Sequence, residues 1–367
     1  MNRELYDVVV IGAGPAGAMA ALRCARSGAS VLLVDKHRFP RHKVCGCCLN
    51  GAAIAALKRA GLGDLPQRLG GAPLSTLRLA CGRYRADLPL AGAVAISRAA
   101  MDGAIVESAI TAGVKFIDGQ AAQVGAADSE GRSVHFGRHS VIGRCVVVAS
   151  GLGSSSGHSR PEGGRIGLCS LLTDGTGYPR GQVHMACAAR GYVGLVRLED
   201  GRLDIAAAVD PRFVRRCGGA GQAVRQILDS CHMAAPLDLS AARWRGTPLL
   251  TRQPRHVARE RLLMIGDAAG YVEPFTGEGI AWALSSGWSG GELACKAWEP
   301  AMVAEWSRRI ALLRRRQGAC RWIARLLRRP RLTRCAVAAL SLAPRVARPM
   351  FRHLDRPISM DSAAARA

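Results

Sequence analysis

"YDVVVIGAGPAGAMAALRCARSGASVLLVDK", residues 6–36, decides the fold. Val8 to Ile11 form a continuous apolar run, as expected of a strand buried on both faces of a parallel sheet. Gly12-x-Gly14-x-x-Gly17 follows at once. In such a turn the first glycine permits the tight bend and the second lets a pyrophosphate approach the backbone. The third lets helix and strand pack closely. Apolar residues at helical spacing predict a helix from about Pro15 to Ser27, with Gly28 as its stop. A second strand, Ser30 to Val34, ends in Asp35, 21 residues after Gly14, where a carboxylate can take both hydroxyls of an adenosine ribose. Strand, turn, helix and acid together predict dinucleotide binding. The acid at 35 argues against a 2′-phosphate, which leaves FAD and NAD both open.

Composition sets the frame around this motif. The 367 residues suffice for a large core and two interleaved domains. A formal charge of +24 comes almost wholly from arginine, since there are only five lysines. Such a bias permits attraction to nucleic acid or anionic lipid without showing either. The 13 cysteines are scattered and odd in number, which favours a reducing, cytoplasmic setting over a disulfide framework. "CGCC" (Cys45, Cys47, Cys48) lacks zinc spacing, so no metal is expected. No signal-peptide pattern opens the chain, and no stretch approaches the roughly 18 apolar residues a membrane span needs.

A second glycine-rich stretch helps to choose between the cofactors. "GDAAGYVEPFTGEGIAWAL", residues 266–284, follows the short apolar run Leu262 to Ile265. Asp267 therefore stands at a strand end, ahead of a helix predicted from about Gly277 to Lys296. A carboxylate there can accept hydrogen bonds from a ribityl chain. The following helix N-terminus, with free N–H groups and a positive dipole end, suits the edge of a flavin that turns anionic on reduction. Gly270, Gly277 and Gly279 would let the backbone lie against a flat ring. The plain alternative is a connecting loop with Asp267 as a helix cap.

Five segments in order resemble the glutathione-reductase-type FAD fold of geranylgeranyl reductases, aromatic-ring flavoprotein monooxygenases and flavin-dependent halogenases. They are Gly12 to Asp35, "FPRHKVCGCCL" (39–49), "ISRAAMD" (96–102), "VVVASG" (146–151) and "GDAAGYVEPFTGEGI" (266–280). The resemblance implies that Arg98 lies near the adenine-side phosphate or ribose and Asp267 holds the ribityl–pyrophosphate part. Gly279 and Ile280 would line the isoalloxazine. It adds Ala16, Lys36, Arg41, Cys45, Gly46 and Gly277 to the cofactor-binding set. Three departures are visible: Ser150-Gly151 replaces the Asp-Gly of the monooxygenases, the W-x-W-x-I-P halogenase signature is absent, and Gly194 and Arg197 break the Y-x-W-x-F-P stretch of geranylgeranyl reductases. The first puts direct use of NAD(P)H in doubt. Cys45 is the one catalytic candidate, with Lys43 or Arg41 as cations able to lower its pKa; the alternative is a small buried hydrophobe. His37 and His42 flank this loop without a recognisable orienting group.

The fold class expected is α/β: a Rossmann-like FAD-binding domain (parallel sheet with helices) interleaved with a mainly antiparallel substrate domain, plus a C-terminal helical region. The FAD domain takes 1–75, 95–155 and 255–300, the substrate domain 76–94 and 156–254, and the basic helical region 301–367. "GYVGLVRLEDGRLDIAAAV" (191–209) predicts a hairpin of the substrate domain. The expected activity is that of an FAD-dependent monooxygenase or dehydrogenase acting on a hydrophobic or aromatic metabolite. Electrons would come from NAD(P)H or a protein donor. The alternatives are saturation of isoprenoid double bonds and a non-enzymatic membrane or nucleic-acid adaptor. Residues 308–352 hold fourteen arginines and no acid. Trp306, Ile310, Leu313, Cys320, Ala324 and Leu327 share one helical side there, with Arg309 and Arg328 intruding and Pro330 ending or kinking the helix. Residues 305–353 would then either contact the inner face of a membrane or form a helical cap packed on the FAD domain, with arginines solvated or paired to acids elsewhere; no nucleic acid is expected, because a lone Trp322 gives little for bases to stack on.

Overall fold

A computed structural model of the chain describes residues 4–153, 158–159, 164–237, 239–273 and 275–360. The first strand, Glu4–Ile11, lies at the centre of an eight-stranded sheet. It pairs in parallel with Val31–Val34 on one side (Val8↔Val31) and His139–Val148 on the other (Val9↔Val146). Lys115–Ile117 and Leu262–Met264 extend the parallel part at either end. The antiparallel pair Ala122–Ala127 and Arg132–Phe136 shares the second edge of His139–Val148 with Leu262–Met264. Val8, Val9 and Val10 are fully buried, as a strand covered on both faces requires.

Helix Pro15–Ala25 begins at a proline, which suits the first helical turn. It packs on helix Gly279–Ala294 at backbone distance. An added Cβ at Gly287 would lie 2.2 Å from the Ala16 carbonyl oxygen, and one at Gly291 would lie 2.7 Å from that of Ala20. Glycines four residues apart thus face alanines four residues apart, and this spacing joins the helices that follow the two glycine-rich stretches.

The second sheet also has eight strands. Its order is Arg245–Leu249, Ile166–Leu172, Leu203–Val209, Gly191–Arg197, Gln182–Ala188, Ala72–Cys81, Tyr84–Ala95 and Cys48–Leu49. The expected hairpin is present as Gly191–Arg197 against Leu203–Val209. Every neighbouring pair is antiparallel except Gln182–Ala188 with Ala72–Cys81. Helix Ala220–Ser230 covers one face with Val224, Ile227 and Leu228.

The basic tail folds as helices Ala301–Arg316, Gly318–Leu326, Pro330–Leu342 and Arg348–Asp355. The breaks fall earlier than the proline alone suggested: the helix stops after Arg316 and the next after Leu326, and Pro330 opens a third at its first turn. All six residues of the apolar side are buried, and Trp306 Nε1 donates to the Met264 carbonyl at 2.8 Å. The intruding arginines are held by acids. Arg309 pairs with Glu305 and lies 3.9 Å from Glu292, and Arg328 lies 3.6 Å from Glu273. Among the described residues no helix is long and apolar enough to cross a membrane.

Candidate functional site

The three glycines of the first turn serve three different contacts. Gly12 has φ +104°, and a Cβ there would meet the Ala149 carbonyl oxygen at 2.5 Å. A Cβ at Gly17 would stand 1.8 Å from the Gly12 oxygen. At Gly14 the space is open: the nearest atoms to an added Cβ are Arg41 Nη2 at 3.5 Å and Arg98 Nη2 at 3.9 Å. Gly14 also caps helix Pro15–Ala25 without a side-chain acceptor, so the first N–H groups have no side-chain cap.

Asp35 ties the turn to the second strand. Its Oδ2 accepts from Ala13 N at 2.7 Å and its Oδ1 from His37 N at 2.9 Å. Arg98 opens helix Arg98–Thr111 and makes a fork with Asp102, at 2.8 and 2.7 Å, both side chains buried. Arg41 reaches between the two acids, 3.7 Å from Asp35 and 3.5 Å from Asp102. Its Nε and Nη1 are buried without a hydrogen-bond acceptor. Asp102 was not anticipated, although Arg98 and Asp102 sit four apart on one helix face, a spacing that could have revealed the fork.

Asp267 follows strand Leu262–Met264 within the short turn Gly266–Ala269 and caps neither that turn nor the next helix. Burial pushes its carboxyl up to about 6, against the pull of Lys43 and Arg98. Burial in turn lowers the Lys43 ammonium, opposed by Asp267. Gly277 has φ +76° with open space at its Cβ position, and Gly279 and Ile280 form the uncapped start of the following helix.

Of the fourteen residues assigned to the cofactor, all but Gly17 line one cavity of about 1000 Å³. Gly17 lies behind its wall, under Gly12. The cavity continues away from the glycine turns along Leu79, Leu88 and Met185 of the second sheet to Ile323, Val337 and Leu340 of the C-terminal helices. Cys45 is on its wall. The cation that favours its thiolate is Arg98 rather than Lys43 or Arg41, and the largest effect is the hydrogen bond from the Cys47 thiol; together they hold Cys45 below the usual thiol range. Burial lowers both His37 and His42, which keeps each neutral near pH 7.

Two acids of the second glycine stretch also escaped sequence reading. Glu273 is fully buried, 2.9 Å from Arg165, which also donates to the Leu327 carbonyl. Glu278 is fully buried too, accepting from the Cys320 thiol at 2.7 Å, with Arg316 at 4.0 Å. The C-terminal region therefore helps Arg165 hold the loop that carries Asp267 and Gly277, through Arg328 at Glu273 and Arg316 and Cys320 at Glu278.

Two guanidinium groups over an open glycine turn, with orphaned donors and an uncapped helix end, form a place for an anion such as a pyrophosphate. Comparison with known proteins agrees. A family model described as "FAD dependent oxidoreductase" matches residues 7–40. A menaquinone reductase of Mycolicibacterium smegmatis is 28% identical over 361 residues, covering 84% of this chain and 83% of its own. With these similarities the protein is an FAD-dependent oxidoreductase, its reaction unspecified. Another relative of this oxidoreductase is a digeranylgeranylglycerophospholipid reductase of Methanopyrus kandleri, 26% identical, covering 80% of this chain and 78% of its own. The myxobacterial chondrochloren halogenase shares its fold, with a TM-score of 0.75 at 19% identity over 88% of this chain and 82% of that one. FAD is the cofactor of this oxidoreductase, and the enzymatic reading displaces that of a non-enzymatic adaptor.

Proposed function

We propose that this oxidoreductase reduces carbon–carbon double bonds in a long apolar lipid of isoprenoid type. The apolar arm of the cavity, from Leu79 and Met185 to Val337 and Leu340, supports this reading, because it suits an extended chain better than a compact aromatic ring. The names of the relatives point the same way: a menaquinone carries an isoprenoid tail, and digeranylgeranyl groups are isoprenoid. The residues fall into roles along the cavity. Gly12, Gly14, Gly17 and the helix start at Pro15 would take the pyrophosphate, with Arg98, Arg41 and Lys36 beside it and Ala16 beneath. Asp35 would take the adenosine ribose and Asp267 the ribityl chain. Gly277, Gly279 and Ile280 would line one edge of the flavin, with Cys45 and Gly46 flanking the ring. When bound, FAD supplies hydride transfer in two-electron steps; the protein orients the lipid against it and excludes water. The proposed FAD domain comprises 1–75, 95–155 and 255–300, with 76–94 and 156–254 as the substrate domain.

Membrane contact fits the same reading. Trp322, Leu342 and Val346 are 64%, 89% and 71% exposed on the arginine-rich C-terminal helices, whose inner sides line the apolar arm. A lipid could pass from an anionic inner leaflet into the cavity there, each arginine near the surface contributing about 1 kcal/mol. The deciding experiment is anaerobic incubation of the dithionite-reduced protein with isoprenoid quinones and phospholipids, followed by mass spectrometry. Gain of two hydrogens per double bond supports reduction. Oxygen-dependent gain of one oxygen atom, with no anaerobic product, would return the function to monooxygenation.

A further inference from the structure

The loop after Asp35 places Cys45, Cys47 and Cys48 within four residues, on the wall of the cofactor cavity. Cys47 has φ +52°, a conformation that few residues other than glycine adopt. It curls the chain so that Cys47 N donates to Cys45 Sγ at 3.4 Å and Cys47 Sγ lies 3.9 Å from the Cys45 carbonyl. The Arg98 guanidinium stands against Cys45. Behind Cys47 lies Asp204 of strand Leu203–Val209, 5% exposed, with Oδ2 buried and lacking a hydrogen-bond donor. An aspartate inside an apolar strand needs a reason, and Cys45 and Cys47 are the thiols beside it; burial and Cys45 push its carboxyl up, and Cys47 opposes them. At Cys48, one residue further on, burial pushes the thiol up, and the neighbouring Asp204 and Cys45 push the same way.

Two thiols one residue apart meet the reach of a disulfide when the backbone between them is bent. One is stabilised as thiolate by a cation at the cavity wall; the other is covered and has a carboxyl behind it. That division of labour belongs to an exchanging dithiol rather than to inert core cysteines. We propose that Cys45 and Cys47 are a redox-active pair that delivers two electrons to the bound flavin, so that a reduced dithiol is an electron donor for this enzyme. The proposal rests on flavin occupying the cavity. In the forward step the Cys45 thiolate and the Cys47 thiol become a disulfide, releasing two electrons and one proton. Those two electrons and that one proton, the proton passed by way of Asp204, are what a flavin held against Cys45 would accept. An external dithiol then reopens the disulfide by exchange at the cavity-facing sulfur of Cys45, becoming oxidised itself. Such a route would supply electrons where Ser150 replaces the acid associated with direct use of a nicotinamide.

The test is anaerobic reductive titration of the FAD-loaded protein after mild oxidation with glutathione disulfide. Flavin content is measured first; a protein without flavin would overturn both the proposed function and the electron route. With flavin present, wild type and Cys48→Ser should take up two electron pairs per flavin, whereas Cys45→Ser and Cys47→Ser should take up one. Digestion of the oxidised wild type should give a peptide carrying residues 45–48 that is two hydrogens lighter, a readout that requires no variant to fold. Asp204→Asn should slow flavin reduction by an added dithiol about tenfold or more, with flavin content unchanged. One electron pair in wild type, two in Cys47→Ser, or a disulfide joining Cys45 to any other cysteine would overturn the dithiol while leaving the reductase reading intact.

Discussion

Replacing Gly14 by valine should separate cofactor binding from folding. Gly14 has φ −72° and ψ −177°, extended backbone that any residue adopts, and the closest atom to an added Cβ is a guanidinium nitrogen at 3.5 Å. The substitution should therefore change stability by about 0.5 kcal/mol or less, as at sites free of strain and clash. The new side chain stands where a pyrophosphate oxygen must come to reach the helix N–H groups. Losing about two hydrogen bonds to a charged group, at about 1.5–3 kcal/mol each, costs about 3–6 kcal/mol of binding. That weakens FAD affinity by about 10²- to 10⁴-fold. Gly17→Val is the contrast: its Cβ would lie 1.8 Å from the Gly12 oxygen, so the turn itself must open and the fold suffers. Thermal melts of FAD-free protein read the first effect, and quenching of flavin fluorescence on titration reads the second. Purified Gly14→Val with full yellow occupancy, or a loss of stability equal to that of Gly17→Val, would refute the reasoning.

Asp267→Asn should weaken FAD retention yet stabilise the FAD-free protein. The carboxyl is raised from 3.8 to about 6 in the fold; a raised carboxyl favours the folded state while protonated, so its contribution is full below about pH 4 and is lost as pH rises through about 6. The variant should remove that decline and gain on the order of 2 kcal/mol at neutral pH; an unchanged slope in urea melts between those pH values would count against it. Glu273→Ala strands Arg165 in the interior and should cost about 3–5 kcal/mol in the same assay; a loss below 1 kcal/mol, as expected of a surface pair, would show that the pair is solvated. Direct reduction of the flavin by NAD(P)H should be slow, because Ser150 replaces the expected acid; anaerobic stopped-flow bleaching at about 10 per second or faster with NADPH alone contradicts this. Co-sedimentation with liposomes should be stronger on anionic than neutral vesicles and fall with salt; equal recovery on both, or none on either, removes the membrane contact.

What was legible in the sequence is what neighbours in the chain decide. The Gly12 turn, its helix and Asp35 lie within one strand–helix–strand unit, so local spacing carried them. Asp267 was visible because an acid directly after a buried strand is uncommon among packing residues. Asp204 was not, because its reason is Cys47, brought to it by a sheet whose order the sequence does not display. A charged residue between Leu203 and Ile205 in an otherwise apolar strand was nonetheless a signal. Glu273 and Glu278 were not visible, since the cations beside them, Arg165, Arg316 and Arg328, stand far away in the chain. The arginine excess hid those cations: among so many, the few that point inward cannot be told from those that meet water by composition.

The ion pairs at Glu273 and Glu278 also bear on how the protein is made. A chain emerging from the ribosome presents the first nucleotide motif early, and that unit can organise as it appears. The loop around Asp267 cannot be completed then. Glu273 already has Arg165 from an earlier segment, but Arg316 and the Cys320 thiol, which face Glu278, are synthesised after it. Until they arrive, the Glu278 carboxylate faces an apolar interior without a counter-charge, a state that costs several kcal/mol. The order of synthesis therefore makes the closing of the Asp267 end of the cavity a late event, after the tail has cleared the ribosome. A message truncated beyond residue 300 but before residue 316 would yield a chain with a finished Gly12 turn and an unfinished Asp267 loop.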